Sequence, residues 1–133
     1  MSRRADPLPE PVLRHLGAGD RWSLVDPVEV AIGGGTLLTV PAGFVYDLAS
    51  VPEVLQWLID DDQLSTLAPL VHDVLYQHGG RLPVEWVYPY REFARREADA
   101  LLLALAIRQG CPRWRAWAAW AAVRAAAWGA WKG

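Results

Sequence analysis

The stretch FVYDLASVP, residues 44–52, is where the chain changes its hydrophobic period. Apolar Phe44, Val45 and Tyr46 stop at a carboxylate, Asp47, and the chain turns through Ser50 and Pro52 into another apolar run. A plain loop would turn on Gly or Asn. Upstream the apolar residues alternate; downstream they recur every three or four positions, the spacing of one helix face. The fold class this predicts is α+β: a small antiparallel sheet over about residues 22–47, then a helical half of three main helices plus one short one.

Upstream, Val28, Val30 and Ile32 alternate with Glu29 and Ala31. Gly33, Gly34 and Gly35 supply a turn that tolerates positive φ, and Thr36 to Val40 is the return strand. Pro41 to Gly43 breaks it, and Phe44 to Tyr46 is a third short extended piece. Residues 1–20, with prolines and glycines among charges, read as an irregular arm. Residues 21–133 read as a single domain without repeat or linker.

Downstream, Pro52 to Ile59 is expected to be a short helix with proline near its start, where a missing N–H costs little. Asp60, Asp61 and Asp62 read as exposed loop acids rather than a cation site. A second helix is expected from Ser65 or Thr66 to Gln77, ended by Gly79 and Gly80. A third runs from about Tyr90 to Gln109, and a fourth from Pro112 to about Trp131. Arg81 to Pro89 between them reads as a loop.

Composition narrows the function. A chain of 133 residues with 53% hydrophobic and 21% charged residues folds around a core. A formal net charge of −2 argues against nucleic-acid binding, and Arg91, Arg95 and Arg96 do not form one exposed stripe. The single cysteine, Cys111, cannot form an internal disulfide. No signal peptide is evident. The apolar run from Pro112 to Gly133 is interrupted by Arg113, Arg115 and Arg124, which argues against a membrane span.

Three helices carry polar or aromatic residues in unusual places. On the second, His72 and Tyr76 share one mostly apolar face, with Asp73 turned about 100° away. On the third, Asp99 sits among Leu102, Leu103 and Ala106, with Arg95 and Arg96 one turn earlier. A carboxylate there needs a partner. Arg95 can supply one, and Asp99 can also face His72 across two packed helices and orient its ring. On the fourth, Trp114, Trp117, Trp120, Trp128 and Trp131 fall in one arc that includes Arg124, opposite a face nearly all Ala. A Trp stripe at helical spacing is expected to be core. With both faces apolar, one is left for a partner or a membrane surface, for which Trp114, Trp117 and Trp128 are the candidates. Arg124 is expected to meet a ring face or a buried acid, Asp47 or Asp99.

GFVYDLASVP, then HDVLY, then RREAD before an apolar helix, in that order, resemble the phage and prophage family called domain of unknown function 1353. The likeness covers roughly residues 28–125. It departs at Tyr46, where the family has Thr, and at Glu53, where a basic residue is common. It implies a viral or prophage origin and a family built around Asp47, Ser50, His72, Asp73, Tyr76, Arg95 and Asp99. His-Asp-x-x-Tyr on one helix with an Asp on the next is also similar to the secreted phospholipase A2 site. That likeness implies His72 as general base, Asp73 as a metal ligand, Asp99 as the group orienting His72, and Tyr76 bonded to Asp99. The pairing cysteines and the glycine-rich calcium loop of those enzymes are absent.

Two functions are therefore expected to compete, and the sequence favours the first. The first is a small phage hydrolase of a cell-envelope component, lipid or peptidoglycan, with His72, Asp99 and Tyr76 catalytic and a divalent cation (Ca²⁺ or Zn²⁺) on Asp47 and Asp73. The second is a non-enzymatic virion, tail or host-interaction protein in which Ser50, Arg95 and Arg124 join the same acids and His72 in a buried structural network. Either would work in the host cytoplasm or in the virion. Exposure separates them: a base needs a cleft, a structural network is sealed.

Overall fold

A computed structural model describes residues 8–17, 21–47, 67–126 and 131–132. The side chain of Asp47 lies outside the described residues. So do Ser50, the short helix expected over 52–59, Asp60 to Asp62 and Trp128.

The order of elements is β1 (Leu13–His15), β2 (Arg21–Leu24), β3 (Val28–Ala31), β4 (Leu37–Val40), β5 (Val45–Asp47), α1 (Leu67–Gln77), β6 (Val87–Tyr88), α2 (Arg95–Arg108) and α3 (Arg113–Ala126). The α+β class is as the sequence predicts. The strands, however, form two antiparallel three-stranded sheets, ordered β1-β2-β5 and β3-β4-β6. The third extended piece does not continue the β3–β4 hairpin. It pairs with β2, Trp22 opposite Tyr46. The supposedly irregular arm contributes β1, with Leu13 opposite Leu24. Within the expected 81–89 loop, a single 3-10 turn at Val84–Trp86 leads into β6, which pairs with β4. Strands of two or three residues carry too short a pattern for periodicity to reveal them.

The β3–β4 hairpin shows why alternation fixes register. Val28 and Val30 point into the core while Glu29 and Ala31 are exposed, and the partners Leu38 and Val40 point the same way. Buried apolar residues of the strands join those of all three helices in one core. Helix α1 is buried all round from Leu67 to Tyr76, as a central helix must be. Helix α2 packs against both α1 and α3.

Helix α2 begins at Arg95, not near Tyr90. The preceding residues are committed elsewhere: Phe93 N–H donates to the Gly80 carbonyl at 2.9 Å. The Glu97 carboxylate then accepts from Ala94 N–H at 2.8 Å. Ala94 has no side-chain oxygen to return that bond, so only the carboxylate half of a capping box forms.

The largest departure is in α3. The Trp stripe is not the core face. Trp114 is 66% and Trp117 49% exposed, whereas Ala116, Ala119 and Val123 are buried. Small residues let the α2 backbone and the polar groups between the helices come close, which indole rings would prevent. Trp131 lies beyond the described end of α3. It packs edge-on against Tyr76, ring centres 5.1 Å apart, while Lys132 N–H donates to the Tyr76 carbonyl at 3.1 Å.

Gly80 holds this corner together. Its φ is +78°, and a Cβ there would lie 1.9 Å from the Phe93 carbonyl oxygen. Gly110 also has positive φ (+96°) but open space around it. Gly80→Ala is expected to cost about 3 kcal/mol in urea unfolding and Gly110→Ala about 1 kcal/mol, the difference measuring the close approach rather than the backbone conformation.

Candidate functional site

The site is built on Asp99, which faces inward from α2 and is 0% exposed. His72 and Tyr76 stand one turn apart on α1 and point at it together. His72 Nε2 lies 2.7 Å from Asp99 Oδ1, and the Tyr76 hydroxyl donates to the same oxygen at 2.7 Å. Their rings lie 4.2 Å apart, tilted by 33°. From α3, Arg124 Nη1 donates to the other oxygen, Oδ2, at 2.9 Å. Arg95, one turn before Asp99, comes to 4.0 Å from Oδ2 with its Nε.

Arg95 does more than neutralise. Its Nε donates to the Tyr76 hydroxyl at 3.1 Å, and its Nη2 donates to the carbonyls of Val123 and Arg124 at 2.8 and 3.0 Å. Those carbonyls belong to the last described turn of α3, toward the end where the helix dipole favours a cation. Arg95 thus caps α3 from the side while Arg124 reaches back to Asp99.

These contacts set the protonation states. Burial works to raise the Asp99 pKa, but hydrogen bonds from His72, Tyr76 and Arg124 outweigh it and hold the carboxyl below its ordinary value. Burial lowers the His72 pKa; the bond to Asp99 opposes this, and Arg95 adds to the lowering. With Asp99 already served by guanidinium, His72 is neutral near pH 7, its Nε2–H donating to Asp99 and its Nδ1 the basic nitrogen. Burial, then the Asp99 bond and charge, push the Tyr76 phenol up.

The predicted residues therefore divide. His72, Tyr76, Asp99, Arg95 and Arg124 meet in one cluster. Asp73 is buried but faces another way, with Gln77 Nε2 donating to its Oδ2 at 2.6 Å. Among the described residues no group of three or more His, Cys, Asp or Glu gathers to hold a metal ion. Trp114 and Trp117 lie outside the cluster, on the surface.

Tyr46 was not singled out from sequence as a site residue. Its side chain is 0% exposed, and its hydroxyl has no hydrogen-bond partner among the described residues. Burial first, and then the charge of Asp73, push its pKa up. The signal was present: it is the residue standing where the resembling family has Thr. A helical wheel puts Trp131 in the α3 stripe, but Trp131 is not helical and walls Tyr76.

The fold and cluster define a small α+β protein in which the three described helices meet on a buried Asp–His–Tyr–Arg set. The model of the family described as protein of unknown function (DUF1353) matches residues 22–123, most of the chain, and the chain belongs to that family. No curated protein and no solved structure matches it.

Two outcomes follow for stability. Asp99→Leu leaves three donors without their acceptor and is expected to cost about 3 kcal/mol or more, read by chemical denaturation. For pH, the His72 pKa is lower folded than unfolded, so between about 6.5 and that lower value the unfolded chain binds more protons. Stability is then lost as pH falls below about 6.5, at up to roughly 1.4 kcal/mol per pH unit. Asp99, lowered by folding, adds a further loss only below about pH 4. His72→Gln is expected to flatten the first slope and keep the second, measured by urea titrations across pH.

Proposed function

We propose that this chain is a non-enzymatic binding module of phage or prophage origin, a virion or tail component or a small factor directed at a host protein. The host cytoplasm or the virion is its place of action. The observation that supports this is the closure of the cluster. His72 is 1% exposed, both Asp99 oxygens accept hydrogen bonds, and the Tyr76 hydroxyl donates one and accepts another. A general base must come within about 3 Å of the proton it takes. A buried network whose bonds tie several helices together instead specifies packing. The phage origin rests on the three-segment likeness alone.

One observation favours the hydrolase reading. An imidazole fixed by a carboxylate that also accepts a tyrosine hydroxyl is an oriented base, and the Tyr46 hydroxyl is a buried polar atom with no partner among the described residues. In that reading the substrate is an envelope lipid or peptidoglycan, and a Ca²⁺ or Zn²⁺ ion would be held by Asp73 with Asp47.

The test is turnover. Purified protein is incubated with phospholipid vesicles and with peptidoglycan sacculi, with Ca²⁺, with Zn²⁺ and with chelator. No turnover is expected in any arm. Turnover that disappears in a folded His72→Gln variant would overturn the non-enzymatic reading and establish the hydrolase.

A further inference from the structure

Helix α3 has a face that the core does not use. At 100° per residue, Trp117, Ala121, Trp114, Ala125 and Ala118 span an arc of about 100° opposite the buried Ala116, Ala119 and Val123. All five are exposed. The alanines are low, so the two indoles stand proud of them. Trp117 is braced edge-on by Trp120, ring centres 5.4 Å apart. Arg113 borders one edge of the arc, and Arg115 lies beyond the other; Arg124, beside Arg113 on the wheel, turns its guanidinium inward to Asp99.

Charge decides what covers this face. From Cys111 to Gly133 the chain has four cations (Arg113, Arg115, Arg124 and Lys132) and no acid. That leaves nine cations against fifteen acids in residues 1–110, a net −6. Arg124 is paired with Asp99, so the segment presents +3 on a body of −5, although the whole chain is only −2. An anionic surface attracts this helix and repels the rest, which also orients the molecule. Indole has an apolar body with one polar N–H and favours the headgroup boundary of a bilayer, and flanking arginines meet phosphate there. No helix among the described residues is long and apolar enough to cross a membrane, so the contact is with the surface.

We propose that the Trp114–Trp117 face of α3 docks the protein on an anionic lipid surface, the indoles at the headgroup boundary and Arg113 on lipid phosphate. This names the partner of the binding module proposed above and rests on that reading.

The test is flotation of the full chain with vesicles of phosphatidylcholine alone or mixed with roughly equal phosphatidylglycerol. Binding is expected only to the mixed vesicles. It should fall at least about tenfold when salt is raised from about 0.1 to about 1 M, as screening of surface charge requires. Trp114→Ser and Arg113→Glu, at exposed positions, should each weaken it several-fold with the thermal melt unchanged. Trp114→Ser with Trp117→Ser should abolish it. Absence of binding to the mixed vesicles, or binding indifferent to the Trp114→Ser/Trp117→Ser change, overturns the proposal. So does a dimer in light scattering that the double change dissociates, or an oligonucleotide bound through the same indoles in place of vesicles. Lipid hydrolysis lost in His72→Gln would overturn the non-enzymatic reading separately, since vesicle binding is read without turnover.

Discussion

The Asp99 carboxylate is the constraint from which the helical half takes its shape. It sits on the middle helix, fully enclosed, and accepts from both neighbours: His72 and Tyr76 of α1 on one oxygen, Arg124 of α3 on the other. A buried anion is tolerable only when its lone pairs are filled. Filling them fixes the rotation of three helices at once, because each donor comes from a different turn and direction. Hydrophobic packing alone would allow those helices to rotate or slide by a residue with modest loss. An acid with several named partners does not.

Much of this was legible because acids and imidazoles are rare on apolar faces. The i, i+4 spacing of His72 and Tyr76 and the position of Asp99 among Leu and Ala needed only a helical wheel, and the pairing across helices followed from what a buried carboxylate requires. The sheets were less legible. The partner of β5 is β2, a choice made by loop geometry and core shape that no local period records. Hydrophobicity alone does not pick the inner face of α3. Indoles bury more apolar area than alanines, so a wheel assigns the Trp stripe to the core. Close approach to α2, required by the Arg95 and Arg124 contacts, favours the Ala side instead. Size, not polarity, decided which apolar face was hidden.

That reversal also changes how the C-terminal helix relates to the rest. Its inner face is bound to the body by backbone and guanidinium contacts rather than by large side chains. The outer face keeps its aromatic residues in solvent on an otherwise acidic molecule. Rigidity and exposure are thereby separated: one face sets position, and the other carries the exposed indoles.

Arg95 and Arg124 form a reciprocal loop. The Arg124 side chain reaches Asp99 on α2, and the Arg95 side chain, one turn earlier on α2, reaches the Arg124 carbonyl. Arg95 bonds a phenol and two carbonyls through different nitrogens of one rigid fork. A lysine, with a single terminal nitrogen, cannot span those acceptors. Substitution at these positions is therefore expected to be coupled. A lineage that loses Arg124 leaves one Asp99 oxygen without its donor, so these two residues are expected to be inherited, or replaced, together.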